Sequence, residues 1–219
     1  MVGLVGEDHL DDARFGELAG ADGTVAAVAA QGVVAAMVDK AWAAANPVPL
    51  PLLVVDDTRL GLGQLAANWR NHLNVAERSG LGFELSTAPE AVDWMLARHA
   101  EHMQEKGFSG TTVTFLRALQ REAPEDFFVA RALLDGEPLA GMIVFRFGRS
   151  AEYFVGWYGP EARQAKAGNF LLWHAAQAMG RLGCERFDLG GYSSSEGYGR
   201  FKQDMRGSEY HLMEEWLAF

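Results

Sequence analysis

Three stretches of this 219-residue chain combine residue types and spacings that could carry chemistry. The first follows Phe187-Asp188-Leu189, where Gly190, Gly191 and the run Ser193-Ser194-Ser195 make a loop of small residues. Glycines beyond a buried strand permit positive φ and let a ligand approach backbone N–H groups closely. A plain connecting loop has the same composition. Asp188 falls on the strand face opposite Phe187 and Leu189, where a carboxylate serves either as a base or as a cap for the next loop. In the second stretch Gly168 and Asn169 open a helix preceded by Arg163 and Lys166. Amides at a helix start with cations beside them make an anion site, and ordinary N-capping uses similar residues. The third stretch holds Tyr153, Trp157 and Tyr158 in one strand, as the wall of a peptide or sugar groove or as core. Arg70, His72 and Arg78, with the more distant Arg59, gather charge on one helical pattern. Arg59 and Arg70 are about three turns apart, so they share a face that either meets anions or is simply solvated.

Other chemistries find no support. The chain lacks a G-x-x-x-x-G-K-[ST] loop, which excludes an ATP-driven ligase reaction. His99 and His102 are three apart on a helix without the H-E-x-x-H pattern or an evident third ligand, so no metal site is expected. Cys184 is the one cysteine, which rules out an internal disulfide and suits a structural role. Ser193 to Ser195 lack a nucleophile-elbow pattern. Nineteen Lys plus Arg against twenty-nine Asp plus Glu leave a net charge of −10, which argues against DNA as a partner while leaving the end of an RNA open. Hydrophobic residues form 49% of the sequence, enough for a packed core. There is no integral membrane segment and no secretory pattern at the start, so a soluble, cytoplasmic protein is expected.

The elements that must hold these residues follow from periodicity. Thr24 to Gln31 reads as a helix ended by Gly32, and Val33 to Val38 as a strand. Leu52 to Val55, after a proline-punctuated loop, is a short buried strand. Asp56, Asp57 and Thr58 are N-cap candidates for a helix carrying Leu62, Leu65, Ala66, Trp69, Leu73 and Ala76, stopped by Gly80. Helices are predicted over 90–106 and 113–122, then strands over 127–134 and 138–147 joined by Asp135-Gly136, a hairpin signal. A strand over 152–158, a helix over 168–182, a strand over 185–189, a helix near 196–205 and a strand over 209–217 complete the chain. That succession is the order of a GNAT-type acyltransferase, an α/β fold.

Particular residues sharpen the resemblance. Phe187-Asp188-Leu189-Gly190-Gly191 followed by Gly197-Tyr198-Gly199-Arg200-Phe201-Lys202 resembles the Fem family, peptidoglycan-bridge aminoacyltransferases with a GNAT fold. Trp69-Arg70-Asn71-His72-Leu73, Gly136-Glu137-Pro138-Leu139-Ala140-Gly141 and Ala167-Gly168-Asn169-Phe170-Leu171-Leu172-Trp173 extend the likeness over residues 69–217. Earlier, Gly23-Thr24-Val25-Ala26-Ala27, Gln31 to Val38 and Leu53 to Leu65 resemble the first domain of MurF, which grips a nucleotide-sugar. Two units are therefore expected: a small MurF-like α/β unit over 1–68, and a Fem/GNAT-like acyltransferase domain over 69–219.

The resemblance implies aminoacyl transfer to the amine of a peptidoglycan precursor peptide, either UDP-MurNAc-pentapeptide or lipid II. It implies aminoacyl-tRNA as donor and no tightly bound cofactor. Lys202 would contact the donor's terminal phosphate or the developing negative charge, and the backbone carbonyl of Phe201 would accept a hydrogen from the attacking amine. Asp188 joins them as a catalytic candidate. Arg70, Tyr153, Trp157, Gly190, Gly191 and Tyr198 fall on the substrate side, and Arg163, Lys166, Gly168 and Asn169 on the donor side. In GNAT enzymes the latter place holds the pyrophosphate of coenzyme A, but the pattern [QR]-x-x-G-x-[GA] has Lys166 where its first glycine belongs. That departure favours a donor other than acyl-CoA. An acyl-CoA-dependent N-acyltransferase and a non-catalytic module that binds cell-wall precursor remain the alternatives.

Overall fold

Apolar residues run almost unbroken through 127–134 and 141–145, as expected of strands covered on both faces. In the computed structural model, which describes residues 26–29, 33–36, 52–55, 62–108, 110–191 and 198–210, these runs lie in two adjacent inner strands of a seven-stranded sheet. Strands β1 (Ala26–Ala29), β2 (Val33–Ala36), β3 (Leu52–Val55) and β4 (Gly82–Ser86) come first. They are followed by β5 (Phe127–Leu134), β6 (Glu137–Phe147), β7 (Ser150–Tyr158), β8 (Arg186–Gly191) and β9 (Ser208–Tyr210). The order across the main sheet is β4-β5-β6-β7-β8-β3-β9. From β4 to β7 the pairing is antiparallel, β7 and β8 are parallel, and β3 and β9 return antiparallel. Asp135 and Gly136 both take positive φ, 52° and 88°, the geometry a two-residue hairpin requires.

Among the described residues five α-helices flank the strands: α1 (Ala67–Glu77), α2 (Pro89–Lys106), α3 (Val113–Glu122), α4 (Ala167–Arg181) and α5 (Tyr198–Gln203). Strand alternation divides the core in two. Phe128, Ala130, Met142, Val144, Tyr153, Phe187 and Leu189 pack with Trp69 and Leu73 of α1 and Phe170 to Leu172 of α4. Phe127, Val129, Ile143 and Phe145 pack on the other side with Val92, Met95 and Leu96 of α2 and Leu116 and Leu119 of α3. Pro89 opens α2 at its first turn and Gly107 closes it at φ 64°, while the Thr112 hydroxyl caps α3 by accepting from the Phe115 amide at 3.2 Å. Among the described residues no helix is long and apolar enough to cross a membrane.

Several expectations change. The segment predicted as a helix over 24–31 contains β1, which pairs with β2 as an antiparallel hairpin with Val28 opposite Val34. Eight residues before a glycine form a marginal helix, and a cross-strand partner outweighs it. The helix expected behind Asp56 begins only at Ala67, after a 3₁₀ turn at Leu62–Gln64. Two glycines, Gly61 and Gly63, disfavour an earlier start by about 1 kcal/mol each. The three caps and Arg59 lie outside the described residues, and Arg59 and Arg70 do not share one continuous helix. Strand β4 was not foreseen, because Phe83 and Leu85 alone carry its alternation. Strand β3, assigned by sequence to the N-terminal unit, lies inside the main sheet between β8 and β9. Most of the MurF-like segment lies outside the described residues, as does the closing strand beyond residue 210.

Candidate active site

Strands β7 and β8 pair over three residues each, Ser150 to Glu152 against Arg186 to Asp188. A bulge interrupts β7 just beyond this point, since Val144 faces Tyr153 while Ile143 faces Val155, leaving Phe154 extra. Bulges bend and twist a strand. Glu152 and Asp188 are register partners at the last rung, so their side chains share a face. They stand opposite Ala151, Tyr153, Phe187 and Leu189, all of which enter the α1/α4 core.

Lys202, on α5, reaches this parting. Its side chain is 2% exposed, its ammonium donates to the Gly191 carbonyl at 2.9 Å, and it lies 5.1 Å over the Tyr153 ring. A solvated lysine on a polar helix face is therefore not what the fold makes of it. Burial pulls the Lys202 ammonium down to about 8, against the attraction of Asp188 and Glu152. The same burial, with the neighbouring Asp188 charge, pushes the Glu152 carboxyl up to about 8, while Lys202 opposes the rise. Asp188 accepts the Gly190 amide at 2.7 Å, so it does cap the strand end. Gly190 sits at φ 69°, and a side chain there would begin 3.2 Å from the Tyr153 carbonyl and 3.7 Å from the Lys202 nitrogen. Glycine is required by both conformation and space.

Three neighbours hold the lysine's short helix. The Trp69 indole donates to the Phe201 carbonyl at 3.0 Å and its ring stacks on Phe201 at 6.0 Å. The Ala66 amide donates to the Asp204 carbonyl at 2.9 Å, tying the start of α1 to the end of α5. The carbonyl expected to meet the attacking amine thus already accepts one hydrogen, with a second lone pair left. At the start of α4, a Cβ on Gly168 would lie 3.2 Å from the Tyr158 ring and 3.8 Å from Phe201. The donor-side helix and the lysine's helix converge there.

Lys166 caps α4 at φ 54°, a left-handed conformation that a glycine would adopt without strain. The loop keeps that shape at a cost of about 1–2 kcal/mol and gains a cation. Asn169 is buried, and its side-chain nitrogen has no hydrogen-bond partner among the described residues. The Ala167 and Asn169 amides already donate to Ala162 and Lys166 carbonyls, and Arg163 lies on the exposed turn before them. His72 on α1 is lowered below its ordinary value by burial and then by the Lys166 charge, with Asp204 opposing.

Expected and observed positions compare as follows. Lys202, Phe201, Asp188, Gly190, Gly191, Tyr153, Gly168 and Tyr158 come together. Arg70 does not join them: its guanidinium bonds the Gly63 carbonyl at 3.2 Å. Trp157 packs on the opposite core, edge-on to Trp94. Nothing is described of the Tyr198 side chain or of Ser193 to Ser195. His99 is buried with Nε2 2.7 Å from the Thr111 carbonyl, joining α2 to the following loop. Cys184 is buried, which raises its thiol. Glu152 is the functional candidate that sequence reasoning missed. Its signal was available, because Ala151-Glu152-Tyr153 repeats the pattern of Phe187-Asp188-Leu189, one charge between apolar neighbours.

A mixed sheet whose parallel strand pair parts beside a helix start has the form of a GNAT-type fold. The chain belongs to that family: the Acetyltransferase (GNAT) domain matches residues 64–203. Among solved structures it is similar to FemX, at 13% identity and TM-score 0.64 over 73% of this chain and 59% of that one. It is also similar to the C-terminal domain of a putative lysylphosphatidylglycerol synthetase from Agrobacterium fabrum, at 18% identity and TM-score 0.57, covering 74% and 58%. L-PGS from Bacillus licheniformis matches at 14% identity and TM-score 0.53, covering 74% and 59%. These likenesses are of fold, and the chain spans just under three-fifths of the length of each. None of the curated proteins compared matches it.

Proposed function

We propose that this protein transfers an aminoacyl group from aminoacyl-tRNA to the amine of a peptidoglycan precursor peptide, either UDP-MurNAc-pentapeptide or lipid II. The observation that carries this reading is the set of buried Lys202 with half-buried Glu152 and Asp188 where β7 and β8 part. In the transfer, the amine nitrogen attacks the acyl carbonyl carbon, the new C–N bond forms, and the ester C–O bond to the donor breaks. The amine gives up one proton and the departing oxygen takes one. Lys202 offers an ammonium to negative charge as it develops, in a site where water does not compete. Glu152, poised near 8, can exchange a proton at neutral pH without leaving a bare charge in the core. Gly190 and Gly191 let substrate approach the backbone, and Tyr153 floors the lysine.

Lys166, Gly168, Asn169 and Arg163 form the donor side in this reading. Side-chain cations at the mouth of α4 suit a donor phosphate held by charge, whereas the pyrophosphate of coenzyme A would be met by a glycine-lined loop. The GNAT family match keeps acyl-CoA as the rival donor. Mass spectrometry of UDP-MurNAc-pentapeptide, incubated with the protein and a pool of charged tRNA or with acetyl-CoA, decides between them. A gain of one amino-acid residue with tRNA supports the proposal. A gain of one acetyl group with coenzyme alone overturns the donor, and silence in both tubes overturns the enzyme.

A further inference from the structure

The mouth of the Lys202 site carries charge of the opposite sign to the chain as a whole. Residues 161–169 and 199–207, which form the opening of α4 and most of α5, hold five cations against two carboxylates in a chain of net charge −10. Of these cations Arg163, Arg200 and Arg206 are exposed and Lys166 is half-buried, and none of the four is paired with a carboxylate among the described residues. Elsewhere Arg98, Arg131 and Arg146 each hold an acidic partner. Lys166 and Arg206 also keep φ of 54° and 57°, where a glycine would be unstrained. Two cations are therefore retained where the backbone argues against any side chain.

Aromatic rings stand between the two segments. A Cβ on Gly168 would lie 3.2 Å from the Tyr158 ring and 3.8 Å from the Phe201 ring, so both rings meet at the opening of α4. Each is half-buried, and buried Trp69 stacks on Phe201 from the core side. Cations that track a phosphate chain, with ring faces on which bases stack, are what a single-stranded nucleic acid requires. A duplex hides its base faces in its own stack, and docking on a membrane needs apolar side chains that insert. The exposed large hydrophobics, Leu62, Val75, Phe108 and Leu182, lie on other segments. The acidic remainder of the chain repels the body of a polyanion, which confines the favourable contact to one end of it.

We infer that the single-stranded 3′ end of the donor RNA lies across this mouth, with phosphates on Arg163, Lys166, Arg200 and Arg206 and a base against Tyr158 or Phe201. This deepens the reading above and rests on it. Arg200 is exposed while Lys202, two residues on, is buried, so α5 turns one cation to the strand and the other to the reaction. Arg200 and Arg206 thus give the donor side a second bank, facing the one that Arg163 and Lys166 form at α4.

The test reads binding, so it needs no charged donor. An end-labelled single-stranded RNA of about five nucleotides is titrated into the intact protein by fluorescence anisotropy, between about 50 and about 200 mM salt. Neutralising about four phosphates of a single strand gives a slope of about −2.8 in log K against log salt. Arg200→Gln combined with Arg206→Gln should halve the slope to about −1.4 and weaken binding about tenfold at the lower salt. Tyr158→Leu should weaken binding about tenfold with the slope unchanged, since stacking releases no counterions. Arg117→Gln, which removes an exposed cation already paired with Asp93, should change nothing. The same sequence locked in a hairpin stem should bind more weakly than the free strand. Unchanged thermal melting of each variant shows that the fold is intact. No binding of the strand at millimolar concentration, an affinity and slope that survive the double arginine change, or equal binding of the stem overturns the inference. Capture of the protein by vesicles of anionic phospholipid through the same two arginines, in place of RNA, does so too. A protein that binds the strand in this way yet transfers nothing from charged tRNA would sink the proposed function alone; one that transfers with unchanged KM in the double arginine variant would sink this surface alone.

Discussion

Replacing Glu152 with glutamine should make the protein more stable than wild type by several kcal/mol at pH 8 but by only about 1 kcal/mol at pH 5. The folded chain holds this carboxyl near 8 against an ordinary 4.5, so the unfolded chain ionises it more readily. Folded stability is unaffected below 4.5 and declines as pH climbs towards 8, because folding must keep or take up a proton that solvent would remove. The gap is worth at most about 5 kcal/mol at roughly 1.4 kcal/mol per pH unit. Ionisation of Glu152 near its own folded value and residual solvent contact trim this to about 3 kcal/mol between pH 5 and 8. Lys202 moves the other way in a separate window: its folded value near 8 lies below an ordinary 10.5, so its cost is full below 8 and is relieved only as pH rises through 10.5. The assay is urea unfolding followed by tryptophan fluorescence at pH 5, 6.5 and 8, comparing wild type with Glu152→Gln at each pH. Subtracting the two curves removes every titrating group that does not interact with Glu152, which leaves Lys202 and Asp188 in the difference. A difference flat within about 0.5 kcal/mol across the range would refute the claim that Glu152 is buried as a neutral acid.

Other substitutions test the surrounding parts. Lys202→Met keeps the volume and removes the ammonium, and should lower turnover by about 100-fold or more while the protein still unfolds cooperatively; turnover within threefold of wild type would remove the lysine from the chemistry. Gly156→Ala should destabilise by about 1–3 kcal/mol in thermal or urea unfolding, because its methyl would occupy the place of the Tyr153 hydroxyl. Lys166→Gly should change stability by less than about 1 kcal/mol, as relieved backbone strain offsets a freer unfolded chain. The same change should weaken donor binding severalfold, and unchanged affinity for the donor would show that the cation plays no part. A glycine restored at this point of the GNAT pattern should also improve any acetyl-CoA turnover relative to wild type.

Much of the fold was legible because its signals are local. Asp135-Gly136 between two apolar runs specifies a hairpin, Pro89 and Gly107 bracket α2, and the boundaries of α3 fall where Thr112 and Ala123 put them. Gly190 could be recognised as a position needing positive φ. What sequence could not give is which side chains face each other across strands distant in the chain. Glu152 acquires its meaning from Asp188, its register partner on β8, and no spacing rule links them. Arg70 looked like a substrate ligand until the helix began late and turned its guanidinium to Gly63. Lys202 was expected in the chemistry through the family resemblance alone, because a six-residue helix carries too little pattern to show that the fold buries it.

The position of β3 between β8 and β9 has a consequence for the order of events during synthesis. Leu52 to Val55 leave the ribosome long before either of their partners, β8 and β9, is made. At 5–20 residues per second, this apolar tetrapeptide waits on the order of ten seconds before β8 exists to receive it. The Trp69 indole waits almost as long for the Phe201 carbonyl, 132 residues away. Pairings of such long sequence separation form slowly and late. The meander of β4 to β7 and its helices can assemble while translation continues, but the candidate site closes only once β8 and α5 have emerged to meet β3 and Trp69. A nascent chain that has not yet released β8 and α5 therefore lacks the assembled set of Glu152, Asp188 and Lys202.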